Sequence, residues 1–381
     1  MANPLRDLSR YGQSVWYDGF RRAMLRSGEL ARYVEEDGLA GLTTNPAIYE
    51  KAFASSRDYD AELAGLFARR DLDAKAVYEE LALEDIRAAA DLLRPVYEST
   101  EKRDGYVSLE VSPTLARDAA GTLREATRLW RALGRENVMI KVPGTAEAVP
   151  AIRQLLAEGV NINVTLLFSR SAYLEVAEAH RAALEDRAAR GQDLAGVASV
   201  ASFFVSRVDS LVDGLLDALA KRDPASRTRA EALRGRAAVA NAKLAYEDFR
   251  SFTSSPRFAR LLGLGARPQR LLWASTSAKD PRYRDVKYVE ELIGPDTVDT
   301  MPPATFEAFR DHGRARLTLT EGLEQAEKTL AELSELGIAM EEVTDRLLSD
   351  AIRLFEEPFA KLLAAIEARR TLAAGAEAAA P

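Results

Sequence analysis

Short apolar segments alternate along the chain with longer segments in which apolar residues recur at helical spacing. Leu211, Leu215 and Leu219 illustrate that helical spacing. Near-continuous apolar strands that alternate with helices are typical of βαβ units and of a parallel sheet covered on both faces. The pattern predicts eight strands, within residues 14–18, 39–46, 105–113, 137–144, 160–169, 196–206, 270–277 and 296–302.

Eight such units favour an α/β fold of the closed (β/α)8 type, a TIM barrel, over an open doubly wound sheet. No GxGxxG motif follows any predicted strand, which argues against a dinucleotide-binding open sheet. Two long intervals, 58–101 and 207–250, predict helices inserted on the barrel. We therefore expect a barrel domain at 1–315 and a C-terminal helical extension at 316–381 that packs on it, with a frayed tail from residue 371.

Polar side chains lie in or directly after nearly every predicted strand. Burying such a group costs about 1–3 kcal/mol unless it is paired, and barrel active sites are built at the C-terminal ends of the strands. Taken singly, Asp18 is equally consistent with a helix N-cap, Asn45 with a loop or a cap and Ser202 with a small packing residue. Together these polar residues predict a pocket rich in hydrogen-bonding groups. They are Asp18, Asn45, Glu110, Lys141, Asn163, Thr165, Ser202 and Ser275.

Lys141 stands out because, among ten lysines, it alone lies inside an apolar strand segment, VMIKVPG. Desolvation favours the neutral amine of a lysine, which is the form that attacks a carbonyl to give a Schiff base. Glu110 and Asp18 would supply the proton transfers that imine chemistry requires. The strand context leaves one alternative open, a structural ion pair of Lys141 with Glu110 or Asp18.

Two cationic residues follow late strands, Arg207 after the sixth and Lys279 after the seventh. Phosphate sites of barrels often lie near the last strands, where a loop and a cation meet. The alternatives are a surface helix position for Arg207 and a solvated loop position for Lys279.

Composition narrows the chemistry. The 381 residues include no Cys and two His, and 52 Lys+Arg against 59 Asp+Glu give a net charge of −7. Thiolate nucleophiles, disulfides, Fe–S clusters and Cys-ligated zinc are excluded, and we expect no metal and no cofactor. We expect His180 and His312 to be solvated or capping residues. The acidity argues against a nucleic-acid partner.

No apolar stretch approaches the roughly 18 residues of a membrane span, and the N-terminal segment has no apolar secretory region. We therefore expect no membrane partner and a cytoplasmic location.

The chain resembles the transaldolases of the longer bacterial type. The resemblance extends over residues 10–315 and is carried by GLTTNPAIYEKA (41–52), YVSLEVSP (106–113), VMIKVPGT (138–145), GVNINVTLLFS (159–169), VASVASFFVSRVD (197–209) and residues 271–302. It implies a (β/α)8 barrel and transfer of a dihydroxyacetone unit from sedoheptulose 7-phosphate to glyceraldehyde 3-phosphate, in the non-oxidative pentose phosphate pathway. The implied partners are phosphorylated sugars, and a monomer or homodimer is expected.

The resemblance also implies roles for individual residues. Lys141 would carry the Schiff base, Glu110 and Thr165 would position water and transfer protons, and Asp18 would take the proton of the C4 hydroxyl. Arg207 would bind phosphate. The positions that would bind substrate hydroxyls are Asn45, Asn163, Ser202 and Ser275.

One departure concerns the phosphate site. Ser277 stands where some members have a second phosphate-binding arginine, and Lys279 is the candidate replacement. An ammonium does not reproduce the bidentate geometry of a guanidinium. Two other functions remain open from the sequence: a lysine-dependent aldolase that releases free dihydroxyacetone, and a barrel that binds phosphosugars or a protein partner without chemistry.

Overall fold

Eight parallel strands close into a barrel in which each strand pairs with its neighbours in chain order and β8 pairs with β1. The structure is a computed structural model that describes residues 3–55, 57–69 and 72–378, without the side chains of 54, 55 and 373–378. The strands are β1 (Gln13–Tyr17), β2 (Leu39–Thr43), β3 (Tyr106–Glu110), β4 (Val138–Pro143), β5 (Ile162–Leu167), β6 (Ser199–Phe204), β7 (Arg270–Ala274) and β8 (Thr297–Met301). The predicted TIM barrel is confirmed.

Helices fill the intervals between the strands and follow the last of them. They are α1 (Pro4–Leu8), α2 (Arg22–Arg26), α3 (Glu29–Asp37), α4 (Pro46–Ser55), α5 (Asp60–Phe67), α6 (Ala74–Ser99), α7 (Ala119–Leu133), α8 (Val149–Ala157), α9 (Arg170–Ala189), α10 (Ser206–Arg222), α11 (Arg227–Leu233), α12 (Ala237–Ser254), α13 (Pro256–Leu262), α14 (Lys287–Glu291), α15 (Pro303–His312), α16 (Leu323–Glu335) and α17 (Met340–Ala378). Three short 3-10 turns lie at Ser9–Tyr11, Pro113–Leu115 and Pro224–Ser226.

The register of the parallel strands sets the level at which side chains meet. Glu110 pairs with Lys141 between β3 and β4, and Lys141 pairs with Asn163 between β4 and β5. Glu110 is the last residue of β3 and Lys141 lies in the second half of β4, whereas Asn163 is the second residue of β5. The stagger of the strands nevertheless brings all three to one level, and Lys141 places that level close to the mouth where barrel active sites form.

The opposite end of the barrel is closed by a buried polar network. Arg270 contacts Asp104 at 2.9 Å, and Ser14 and the indole N–H of Trp16 also donate to that carboxylate. Gly41 makes room for Trp16, since a Cβ at residue 41 would lie 2.4 Å from the indole ring. Paired charges and a close-fitting aromatic ring therefore fill this end of the barrel, so that space for a cavity remains at the C-terminal end.

The helices outside the βα repeat lie where the sequence predicts inserted helices. The interval after β2 holds α4, α5 and α6, and the interval after β6 holds α10 to α13. The 39-residue α17 packs against α4, α6 and α10. Of the tail predicted to be frayed, residues 371–378 belong to α17, and residues 379–381 lie outside the described residues.

The two histidines differ in environment. His312 is partly exposed and contacts Asp285 and Asp311. The expectation of a solvated or capping side chain is wrong for His180, which is 1% exposed because that face of α9 packs on α13, near the ring of Phe258. Within the described part of the chain, no helix is long and apolar enough to cross a bilayer.

Candidate active site

A cavity of about 630 Å³ opens at the C-terminal mouth of the barrel. Eight of the ten residues predicted from the sequence line it: Asp18, Asn45, Lys141, Thr165, Ser202, Arg207, Ser275 and Lys279. Glu110 and Asn163 do not line this cavity and contact residues that do. The polar strand residues thus converge on one site.

Lys141 lies in the wall of the cavity, and its side chain is only 6% exposed. Its Nζ is 3.4 Å from Oε2 of Glu110 and donates a hydrogen bond to the Thr44 carbonyl at 3.3 Å. The ion pair with Glu110 that the sequence left open is therefore present. The amine also faces the cavity, so the ion pair does not remove it from reach of a bound molecule.

Glu110 is a buried carboxyl group with an unusual proton affinity. Burial raises its pKa to about 7, Lys141 acts in the opposite direction, and the negative charge of Asp18 adds to the increase. A group with a pKa near neutrality both accepts and donates protons efficiently at physiological pH. The position of Glu110 beside the amine suits it to proton transfer there.

Asp18 follows β1 and is held by its neighbours on β2 and β8. The Thr43 hydroxyl donates to Asp18 Oδ1 at 2.8 Å and contacts the Thr300 hydroxyl at 2.8 Å, and Asn45 Nδ2 lies 3.3 Å from Asp18 Oδ1. Burial raises the pKa of Asp18, while Lys141 and the two hydrogen bonds oppose that increase. The N-cap alternative for Asp18 is wrong, since Arg21 occupies the N-cap of α2.

Asn45 has two hydrogen-bonding tasks. Besides its contact with Asp18, its side-chain oxygen accepts a hydrogen bond from the backbone N–H of Ile48 in the first turn of α4. Asn45 therefore lies in the loop before α4 and caps that helix, as the sequence alternative proposed, and it also lines the cavity.

The hydroxyls of Ser202 and Thr165 lie in the neighbouring wall, and the Asn163 amide lies behind Ser202. Ser202 donates to Asn163 Oδ1 at 2.6 Å, and Asn163 donates to the Ser108 hydroxyl at 3.1 Å. Asn163 is fully buried and acts on the cavity through Ser202. The hydroxyl of Thr165 is buried and has no hydrogen-bond partner among the residues described, which leaves it available to a bound molecule.

The far end of the cavity is cationic. Arg207 lies in the first turn of α10, and Lys279 lies in the loop after β7, where its Nζ donates to the Ser277 hydroxyl at 2.6 Å. Burial lowers the pKa of Arg207, and burial together with the charges of Arg207 and Lys51 lowers the pKa of Lys279. No carboxylate of the described residues forms a salt bridge with Arg207, so this end is suited to an anionic group.

Ser275 joins the loop after β7 to that cationic end. Its φ is +56°, a left-handed conformation that is uncommon for residues other than glycine. Its hydroxyl lies 3.0 Å from that of Ser206, and the Ser206 N–H donates to the Ser275 carbonyl at 3.0 Å. These contacts hold the left-handed turn beside the N-terminus of α10.

Sequence reasoning missed the other residues that line the cavity, among them Arg21, Lys51, Leu354 and Phe355. Lys51 lies in α4 inside the GLTTNPAIYEKA segment, but helical lysines are commonly solvated and gave no signal. Leu354 and Phe355 come from α17, whose path across the mouth is not encoded in a local pattern. No group of three or more acidic or histidine side chains in the described ranges is placed to hold a metal ion.

The chain is similar to known proteins along nearly its whole length. The sequence model of the family described as transaldolase/fructose-6-phosphate aldolase matches residues 15–366. "Transaldolase 2" of a Nostoc species is 46% identical over 96% of the chain and 97% of its own length. "Transaldolase" of Neisseria gonorrhoeae is 45% identical over 94% and 98%, and "Transaldolase" of a Parafrankia species is 46% identical over 95% and 97%.

The family match includes the last three residues of β1, all of β2 to β8, and the part of α17 that lines the cavity. The chain therefore belongs to the transaldolase/fructose-6-phosphate aldolase family and is an enzyme of the transaldolase, or transferase, type.

Proposed function

We propose that the protein transfers a dihydroxyacetone unit from sedoheptulose 7-phosphate to glyceraldehyde 3-phosphate through a Schiff base on Lys141. The products are erythrose 4-phosphate and fructose 6-phosphate, and the reaction belongs to the non-oxidative pentose phosphate pathway. One observation carries the proposal: a nearly buried lysine faces a polar cavity with a carboxyl group of pKa about 7 lying 3.4 Å from its amine. The cytoplasmic location and the monomeric or dimeric state remain predictions.

Formation of the Schiff base requires the neutral amine. Glu110 accepts a proton from Lys141, and the Nζ then attacks C2 of the ketose to give a carbinolamine. Loss of water from the carbinolamine gives the imine. Glu110, which has a pKa near neutrality and holds the proton taken from Lys141, would donate it to the carbinolamine hydroxyl so that this group leaves as water, and the Thr165 hydroxyl would hold that water.

Cleavage of the C3–C4 bond requires a base on the C4 hydroxyl. Asp18 takes that proton, the bond electrons move onto the imine nitrogen to give an enamine, and the aldehyde leaves. Hydrogen bonds from Thr43 and Asn45 orient the carboxylate of Asp18. The enamine carbon then attacks the acceptor aldehyde, Asp18 returns its proton to the new hydroxyl, and water releases the product from Lys141.

The cationic end of the cavity would bind the substrate phosphate. Arg207 lies on α10 and Lys279 on the loop after β7, and both line the same cavity as Asp18. The neutral lining side chains Ser202, Ser275 and Asn45 would bind the hydroxyls of the sugar. A phosphorylated ketose has the matching parts, a chain of hydroxyl groups and an anionic phosphate at one end.

Reduction with borohydride in the presence of fructose 6-phosphate, followed by peptide mass mapping, tests the proposal. We expect a three-carbon adduct on Lys141. The matched control is Lys141→Ala, which removes a buried charge and should fold yet form no adduct and show no turnover. An adduct on another lysine, or full turnover in Lys141→Ala, would refute the mechanism.

The family also includes fructose-6-phosphate aldolase, so transfer must be distinguished from simple release. Fructose 6-phosphate and erythrose 4-phosphate are incubated together with the protein. Sedoheptulose 7-phosphate as the main product supports transfer. Accumulation of free dihydroxyacetone in its place would identify an aldolase, and sugar binding without any trapped adduct would identify a barrel without this chemistry.

A further inference from the structure

Two apolar side chains from α17 cover the cavity beside the reactive amine. Leu354 and Phe355 both line the cavity, and the centroid of the Phe355 ring is 5.7 Å from Nζ of Lys141. Phe355 is half-buried, and Leu354 remains 44% exposed at the mouth. Large apolar side chains at such a position exclude water from the adjacent polar site.

Helix α17 is anchored beyond this point. Phe359, one turn further along, packs edge to face on Tyr78 with ring centroids 5.8 Å apart. Near the end of the helix, Arg369 contacts Asp60 at 3.0 Å and the Phe53 carbonyl at 2.7 Å. These contacts with α4, α5 and α6 hold the helix across the mouth.

Pro358 marks the turn that crosses the cavity. Proline has no N–H, so the Leu354 carbonyl lacks the hydrogen bond that residue 358 would otherwise donate inside the helix. With one helical hydrogen bond missing at Leu354, the contacts of Phe359 and Arg369 help to fix the position of Leu354 and Phe355.

We propose that Phe355 determines how the three-carbon intermediate on Lys141 is partitioned between transfer to an aldehyde and hydrolysis. The inference rests on the proposed function, because it requires the covalent intermediate. Once the first aldehyde has left, three carbons occupy only part of the cavity, and water has access from the mouth. The Phe355 ring reduces that access at the amine, and so extends the time available to an acceptor.

The two competing outcomes have different stoichiometry. In transfer, the enamine carbon forms a bond to the aldehyde carbon of the acceptor, and the longer imine is later hydrolysed to a ketose phosphate. In hydrolysis, the enamine carbon takes a proton, water adds to the imine carbon, and the C–N bond breaks to release dihydroxyacetone and the Lys141 amine. Formation of each intermediate from fructose 6-phosphate releases one glyceraldehyde 3-phosphate. The amounts of sedoheptulose 7-phosphate and dihydroxyacetone formed must therefore add up to the amount of glyceraldehyde 3-phosphate released.

The test measures dihydroxyacetone and sedoheptulose 7-phosphate formed from fructose 6-phosphate and erythrose 4-phosphate. In Phe355→Ala we expect the ratio of dihydroxyacetone to sedoheptulose 7-phosphate to rise roughly tenfold, which corresponds to a modest change in relative barriers. In Phe355→Leu, which keeps apolar volume over the amine, we expect a ratio close to that of the unaltered protein.

Leu362→Ala is the matched control, because Leu362 is buried on the same helix and does not line the cavity. It should lower stability and leave the ratio unchanged. An unchanged ratio in Phe355→Ala, or an equal rise in Leu362→Ala, would overturn the inference while leaving the proposed function intact. Borohydride trapping of each variant distinguishes failure of this inference from failure of the proposed function. Absence of any Lys141 adduct in the unaltered protein would overturn both the inference and the proposed function.

Discussion

Glu110 is the residue whose ionisation is best placed to control turnover. Burial is the largest cause of the rise of its pKa to about 7. The carboxylate, which is the form that accepts protons, is therefore lost as the pH falls through neutrality. We expect kcat/KM for fructose 6-phosphate to fall below about pH 7. Glu110→Gln should lose this pH dependence and reduce kcat roughly 10²- to 10⁴-fold, the usual contribution of a proton-transfer group.

The pH profile is measured for both proteins beside Glu98→Gln, a change at an exposed carboxylate on α6. That control should keep the profile and the rate. If Glu110→Gln retains the acid-side decrease, the ionisation belongs to another group, and Glu110 has no role in proton transfer.

Residues whose polarity conflicts with their surroundings could be predicted from the sequence. Lys141 and Glu110 stand out because each interrupts an apolar strand, and both lie at the site. Lys51 and Phe355 could not be found in this way, because each fits the ordinary helical pattern around it. Only the three-dimensional path of α4 and α17 brings them to the cavity, and that path depends on long-range packing.

At the level of elements, we expect the loop after β7 and the first turn of α10 to act together as one anion-binding unit. The contact between Ser206 and Ser275 joins them, and each carries one of the two cations, Arg207 and Lys279. A charge-assisted hydrogen bond contributes about 1.5–3 kcal/mol, so losing either cation should raise KM for a phosphorylated ketose roughly 10- to 100-fold. Arg207→Gln and Lys279→Ala are the variants.

Steady-state kinetics with fructose 6-phosphate and with unphosphorylated dihydroxyacetone as donors separates phosphate binding from a general defect. The variants should differ from the unaltered protein only with the phosphorylated donor. Lys221→Ala, at the exposed end of α10, is the control and should change neither KM. Equal losses with both donors would show that these cations do not bind the phosphate.

All eight strands could be predicted from the sequence, whereas their ends could not. Within the predicted segment 39–46 the strand ends at Thr43, and within the segment 196–206 it covers only Ser199–Phe204. Apolar and small residues continue past the last ladder hydrogen bond into the loops that build the site. The signal for burial is therefore longer than the strand itself.

The whole molecule combines the barrel with helices that are packed beyond it. The division at residue 315 remains a prediction, and it assigns Leu354 and Phe355, which line the cavity, to the C-terminal extension. The sequence could predict that the extension is helical. It could not predict that the extension contributes to the cavity, because a helical period does not specify which surface the helix covers.

A small apolar cluster outside the barrel sets a limit on stability in acid. His180 on α9 packs near Phe258 on α13, and neither ring nitrogen has a hydrogen-bond partner among the described residues. Burial lowers its pKa from 6.5 to about 4, so below pH 6.5 the unfolded chain binds a proton that the folded protein excludes. Stability is therefore lost as the pH falls from 6.5 to 4, by up to about 3 kcal/mol.

His180→Leu removes this titration while keeping an apolar side chain in the cluster. Between pH 7.5 and pH 5 the free energy of unfolding of the unaltered protein should fall by about 2 kcal/mol more than that of the variant, as measured by urea unfolding at the two pH values.

His312→Leu is a control of opposite sign. The contacts of His312 with Asp285 and Asp311 raise its pKa, so its stabilising effect is present at low pH and lost as the pH rises. That variant should be weakened more at pH 5 than at pH 7.5. Identical pH dependence in His180→Leu and the unaltered protein would show that the buried imidazole is protonated in the folded state, and that acid sensitivity arises elsewhere.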